Sequence, residues 1–282
     1  MNLLLWTADV TAEHVPLMES IKALGYDGVE LPIFAPDAKK FALLGKHLDD
    51  LGLERSACTI RAEADNPISP DARVREKGFE ANKAVLDSCA AAGVHALVGP
   101  FHSALGSFSG AAANQDEWKW GVEEMRRTAE YAAERGVVLG LECLNRFECY
   151  LLGTHADTAR FTREVDHPNC RMIYDTFHAN IEEKNVAEAI RSCADVLAHV
   201  HICENDRSTP GSGGVRWQET FDTLSEVGYD GWMVVEAFGS SLPELVAATK
   251  IWRKMYESEE QLARDALAFM KQNVAERWSN LS

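Results

Sequence analysis

Basic residues are scarce in this chain. Its 282 residues include 28 Lys and Arg against 44 Asp and Glu, a formal charge of −16. Nucleic-acid binding needs a basic surface that displaces counterions from phosphates, so this balance argues against DNA or RNA as a partner. Long apolar runs are also missing: none approaches the roughly 20 residues of a membrane span. The segment Met1-Asn2-Leu3-Leu4-Leu5-Trp6 has neither the basic start nor the extended apolar core of a secretory signal. It reads as a buried strand, and a cytoplasmic protein without a membrane partner is expected. The seven cysteines, spread from Cys58 to Cys203, show no CxxC spacing. An odd number in so large a chain does not suit a disulfide framework, and they read as small buried residues. No low-complexity stretch or linker divides the sequence, so a single domain over 1–282 is expected.

What the chain does have is alternation. Apolar strand-like runs at 2–7, 28–32, 53–60, 94–99, 137–143, 171–175, 197–203 and 232–237 are separated by amphipathic stretches near 12–24, 38–51, 71–92, 115–135, 155–165, 185–194 and 216–227. A last helical region covers about 242–276. Eight βα units in a chain of this length predict a (β/α)8 TIM barrel, an α/β fold, ahead of a doubly wound sheet. The segments "GYDGVEL" (25–31) and "GYDGWMVVEAF" (228–238) each join a helix end to a strand, which is shared turn chemistry.

Catalytic groups of such a barrel gather where strands end and loops begin. Four of the expected strands end in Glu142, in Asp175 with His178 just beyond, in His199 and His201, and in Glu236. Charged groups closing apolar strands are costly to bury unless paired or metal-bound. Each alone reads more readily as structural. Together, three carboxylates on one rim repel one another unless a cation intervenes. Glu, Asp, His and Glu form a hard, mostly oxygen donor set suited to Mn²⁺, Mg²⁺ or Co²⁺. His199 and His201 share one face of their strand; His201, nearer the rim, is the expected ligand, and His199 a core residue or one that supports the ligand. Glu30 ends the second expected strand and is read as a substrate contact or a residue closing the barrel mouth. Trp6 reads as a core tryptophan or an apolar wall. Cys143 and Cys203 receive no catalytic role. In "GLECLNRFECY" (140–150), a straight strand would hold Glu142 and Glu148 about 20 Å apart. They can serve one site only if the chain bends between them.

The stretches "LECLNRFE" (141–148), "YDTFHANIEE" (174–183), "HICENDRSTPGSG" (201–213) and "GYDGWMVVEAF" (228–238) resemble the ketose 3-epimerases, the D-tagatose and D-psicose (allulose) 3-epimerase group within the xylose-isomerase-like barrels. "SPDARVREKG" (69–78) and "IWRKM" (251–255) extend the likeness over most of the chain. The resemblance implies that Glu142, Asp175, His201 and Glu236 hold one divalent ion, Mn²⁺ ahead of Mg²⁺ or Co²⁺. It implies that Glu142 and Glu236 are the acid/base pair on either face of C3, working through an enediolate. It implies that Glu148, His178 and Arg207 position a free ketose of D-tagatose, D-psicose/D-fructose or L-ribulose type around O1–O3 or support the catalytic carboxylates. It also implies a homodimer or homotetramer. The sequence departs from the family at "GPFHSALGSFSG" (99–110), where Phe101 and His102 stand, and at Gly214. Both are expected in the part of the pocket that reads C4 to C6, with His102 a substrate contact or an exposed loop residue.

Rival readings use different features. An aldose–ketose, hydroxypyruvate or inosose-type isomerase would share the metal and the enediolate but move a proton between C1 and C2. An apurinic-site endonuclease would need more histidine ligands and a basic track. A catalytically inert sugar-binding module has no need of carboxylates on both faces of one carbon.

Overall fold

A computed structural model describes residues 1–240 and 242–278. Seven parallel strands form one sheet in chain order: β1 (Gly28–Pro32), β2 (Glu54–Cys58), β3 (Ala96–Gly99), β4 (Val138–Leu141), β5 (Cys170–Asp175), β6 (Leu197–Ile202) and β7 (Trp232–Val235). Their apolar side chains are almost entirely buried, as expected for strands covered on both faces. The helices between them are α1 (Val15–Leu24), α2 (Ala38–Leu51), α3 (Ala72–Ala92), α4 (Gln115–Glu134), α5 (His155–Val165), α6 (Thr176–Glu182), α7 (Val186–Cys193), α8 (Trp217–Glu226), α9 (Pro243–Thr249) and α10 (Glu259–Arg277). The sheet is a nearly closed TIM barrel ringed by helices.

The expected first strand is not a strand. Leu3–Leu5 form a short 3-10 helix, because the Asn2 side chain accepts from the Leu4 amide at 2.8 Å and turns the chain at once. A run of buried leucines looks the same to the sequence in either conformation. Only the first two residues keep strand-like bonding. The Asn2 amide donates to the Val235 carbonyl at 2.9 Å and the Glu30 amide to the Met1 carbonyl at 2.9 Å. This two-residue splint spans the gap between β7 and β1. Trp6 therefore caps a helical turn rather than ending a strand, and is half-buried against the core.

Two helical expectations also change. Asp175 caps an additional helix, α6, by accepting from the Phe177 and His178 amides. The C-terminal region breaks in two at Lys250, whose φ of 61° is left-handed, and restarts at the Ser258 cap. Leu262, Ala266 and Met270 of α10 are buried, and Phe269 packs on Trp217 and Phe221. The repeated "GYDG" turns do the same work twice: Gly25 and Gly228 take φ of 98° and 68° at the ends of α1 and α8. Among the described residues no helix is long and apolar enough to cross a membrane.

Candidate active site

Glu142 and Glu236 directly follow β4 and β7, Asp175 ends β5 and His201 is the penultimate residue of β6; their ligand-type atoms all lie within 4.8 Å of one another. His201 and Asp175 are fully buried; Glu142 and Glu236 are each 6% exposed, so they alone of the four open onto the cleft above. The Nδ1 of His201 stands 3.6 Å from Glu236, 3.7 Å from Asp175 and 3.9 Å from Glu142, and has no hydrogen-bond partner. A buried nitrogen with no partner, facing three carboxylates, is the environment a divalent cation completes, and oxygen-rich donors select a hard one. The residues fit such an ion.

Each side chain is aimed by its backbone. Asp175 divides its carboxylate: Oδ1 caps α6, while Oδ2 faces Arg207 at 3.2 Å. The Glu142 amide donates to the Gly99 carbonyl at 3.2 Å, and the Glu142 carbonyl accepts from His102 Nε2 at 2.8 Å. Arg207 Nη1 also donates to Glu236 Oε2 at 2.7 Å, and its guanidinium stacks 3.8 Å from the Phe177 ring centre. Arg207 thus pairs directly with Asp175 and Glu236 but not with Glu142. Burial, and next the Glu236 charge, push the Glu142 carboxyl well above its usual range. Burial would push Asp175 the same way, but Arg207, His178 and His201 hold it well below. Burial likewise opposes charge on His201, yet Glu30 and Glu236 outweigh it and raise that imidazole.

The loop from Glu142 to Glu148 does bend. The Glu148 and Cys149 amides both donate to the Asn145 carbonyl, at 2.9 and 3.1 Å, which closes a tight turn. Glu148 then lines the same cleft as Glu142. Asn145, to which the sequence reading gave no function, ties the turn together. Its side-chain amide donates to Glu148 at 2.8 Å, and its backbone amide donates to His178 Nδ1 at 3.0 Å. His178 Nε2 faces Glu142 at 3.5 Å, and burial lowers the ring to about 3, so it is neutral.

A second residue went unnoticed in the sequence. Glu204 is buried and accepts four hydrogen bonds, from the amides of Asn205, Gly211 and Val215 and from Trp217 Nε1. It anchors the loop that carries Arg207. A Cβ at Gly213 would come within 2.2 Å of Asn205 Oδ1 and 2.7 Å of the Glu204 carboxylate, so that position needs glycine.

Several expectations are corrected. Glu30 lies at the middle of β1, beneath the cluster, neither at the mouth nor among the residues lining the cleft. His102 and Phe101 are fully buried, and Gly99, Pro100 and Leu105 line the cleft in their place. Gly214 is exposed and away from it. The cleft has a volume of about 160 Å³ and is walled mainly by apolar groups, including Phe34, Ile60, Leu105, Phe238 and Leu245.

The buried His102 carries a pH prediction. Its Nε2–H is committed to the Glu142 carbonyl and its Nδ1 accepts from Ser103 at 3.0 Å, while burial lowers its pKa to about 4. The folded value lies below the unfolded one, so the stability from a neutral ring is present above pH of about 6.5 and is lost as pH falls toward 4. Relative to His102→Gln, the wild type is expected to lose about 3 kcal/mol of unfolding free energy between pH 7 and 4. Urea titrations of both proteins at matched pH check this; parallel pH profiles would refute it.

The family model described as the xylose isomerase-like TIM barrel matches residues 18–273. The L-ribulose 3-epimerase of Methylomonas sp. (strain DH-1) is 31% identical over 272 residues, covering 95% of each chain. The D-psicose 3-epimerase of Enterocloster bolteae is 32% identical, covering 93% of this chain and 89% of its own.

The chain belongs to the ketose 3-epimerases of the xylose isomerase-like TIM barrel family.

It is an isomerase of the carbohydrate epimerase kind. The crystal structure of D-allulose 3-epimerase from Methylomonas sp. with D-allulose superimposes on this epimerase with a TM-score of 0.90, at 31% identity and covering 96% and 95% of the two chains. The epimerase's polar cluster thus sits at the C-terminal rim of its barrel strands, where this architecture places its chemistry.

Proposed function

We propose that this epimerase inverts C3 of a free ketose of D-tagatose, D-psicose/D-fructose or L-ribulose type, with Glu142 and Glu236 as the paired proton carriers and one divalent cation as cofactor. The observation that carries the reading is the unpartnered His201 Nδ1 surrounded by three carboxylates, two of which open onto one cleft. Glu142, Asp175, His201 and Glu236 would hold the ion, Mn²⁺ ahead of Mg²⁺ or Co²⁺. When bound it supplies Lewis-acid polarisation of the ketose carbonyl, which makes the neighbouring C3 proton acidic enough to transfer.

The chain's own groups do the rest. One glutamate takes the C3 proton as the C–H bond breaks, and the electron pair passes into the enediolate. The other, already protonated, returns a proton to the opposite face and forms the new C–H bond. The epimer bound decides which glutamate acts as base. Glu148, His178 and Arg207 are the positioning groups toward O1–O3, since they share the cleft with both glutamates. Arg207 is the one Lys or Arg lining the cleft among the described residues, and it is already engaged by Asp175 and Glu236. Phosphate recognition commonly draws on free Arg or Lys side chains, so the reading is for a non-phosphorylated sugar. The seven free, buried cysteines suit a reducing cytoplasm.

Proton NMR of cation-loaded protein with D-fructose, D-psicose, D-tagatose and L-ribulose in D₂O tests this. Deuterium is expected at C3 together with the C3 epimer. An aldose product with label at C1 or C2 would make the protein an aldose–ketose isomerase instead.

A further inference from the structure

Beneath the cluster lies a buried set of polar groups that the reaction as described leaves unused. Glu30 is fully buried, and four side chains converge on its carboxylate. Oε1 receives Asn2 Nδ2 at 2.9 Å and His201 Nε2 at 2.8 Å. Oε2 receives Ser56 Oγ at 2.8 Å and faces His199 Nε2 at 3.0 Å. Glu30, His199 and His201 also cluster closely enough to suggest an ion of their own. Asn2, His201 and Ser56 already hydrogen-bond this carboxylate, while His199 Nε2, 3.0 Å away, makes no hydrogen bond to it.

The contacts have a chemical consequence. A carboxylate only accepts, so the ring nitrogen facing Glu30 carries the proton. With a cation among the carboxylates, His201 is thereby held with Nε2–H inward and the Nδ1 lone pair toward the ion between Glu142, Asp175 and Glu236. Asn2 connects the same carboxylate to the other side of the cluster, because its amide nitrogen also lies 3.3 Å from Glu236 Oε1. The two-residue splint between β7 and β1 thus does more than close the sheet: it places Asn2 between Glu30 and Glu236.

We propose that Glu30 is a positioning residue of this epimerase, fixing the tautomer and aim of His201 and, through Asn2, the placement of Glu236. The inference rests on the metal-dependent reading above. Hydrogen-bond partners behind metal ligands typically change affinity or activity by about 10- to 100-fold. Gln cannot replace Glu30, since its amide nitrogen would face donors on one side.

Isothermal titration of Mn²⁺ into EDTA-stripped full-length protein tests the proposal. Glu30→Gln is expected to bind Mn²⁺ about 10- to 100-fold more weakly, and Ser56→Ala to stay within roughly threefold of wild type. A merely structural role for Glu30 would lower the melting temperature of the stripped protein and leave Mn²⁺ affinity alone. Affinity of Glu30→Gln within about threefold of wild type overturns the proposal. A second measurement needs no Glu30 variant. In ¹⁵N-histidine-labelled, Mg²⁺-loaded wild type, the His201 resonances, identified by their loss in His201→Asn, should report the Nε2–H tautomer. An Nδ1–H tautomer overturns the proposal even if Glu30→Gln does not fold. If the wild type takes up neither cation, the metal reading and this inference fall together. Tight wild-type binding with an unaffected Glu30→Gln removes the inference alone.

Discussion

Replacing Glu236 by Gln is expected to lower the rate of C3 epimerisation by about 10²- to 10⁴-fold, the usual contribution of a positioned acid/base group. The substitution preserves size and leaves an amide oxygen where the carboxylate was, so cation binding should weaken without vanishing. Exchange is the sharper readout. With Glu142 still in place, one epimer should trade its C3 proton for solvent deuterium without being converted, because Glu142 can take and return a proton on its own face. Glu142→Gln should show the same behaviour with the other epimer. Both variants, assayed at saturating cation in D₂O, therefore give mirror-image exchange patterns. Epimer formed within tenfold of the wild-type rate in either variant would remove that glutamate from the proposed pair.

Arg207→Ala is expected to be the most destabilising single change at the site. The guanidinium is buried, donates to both Asp175 and Glu236, and lies over the Phe177 and Phe238 rings. Its backbone has a φ of 63°, held by the Arg207 amide to the Glu204 carbonyl and by the Phe238 amide to the Arg207 carbonyl, both at 3.0 Å. Removing one partner of a buried ion pair costs about 3–5 kcal/mol, because the carboxylates left behind are unpaired. In a chain of this size that corresponds to a melting temperature lower by roughly 5–8 °C. The loss should be largest in EDTA and partly recovered with Mn²⁺, since a cation neutralises the same carboxylates. Equal losses in both conditions would mean that Arg207 and the cation do not share them.

Much of this protein was legible before folding. The order of strands and helices follows from apolar runs alternating with amphipathic ones. The four polar strand ends stand out because each interrupts an otherwise apolar run. What escaped the sequence is instructive. The Leu3–Leu5 run carries a burial signal but no conformational one; the Leu4 amide donates to the Asn2 side chain, and the Trp6 and Thr7 amides to the Leu3 carbonyl, to turn it. The helix after Asp175 is short and lacks apolar periodicity, so its cap is its main signal. His102 sits in a Gly- and Ser-rich loop that looks exposed, and packing near Phe161 and beneath Glu142 buries it. Asn145 and Glu204 hold loops through contacts that no local pattern encodes.

The sequence by itself determined the barrel, the rim on which chemistry gathers, and the identities of Glu142, Asp175, His201 and Glu236 as neighbours there. These follow from local alternation and from strands pairing in chain order. The tertiary structure alone decided that Glu30 reaches across the barrel to His199 and His201 and that Asn2 stands between Glu30 and Glu236. It also decided that Arg207 pairs directly with Asp175 and Glu236 but not with Glu142. Partners across a barrel depend on strand stagger and on how the sheet closes. Both are set by packing between residues distant in the chain, where local periodicity carries no information.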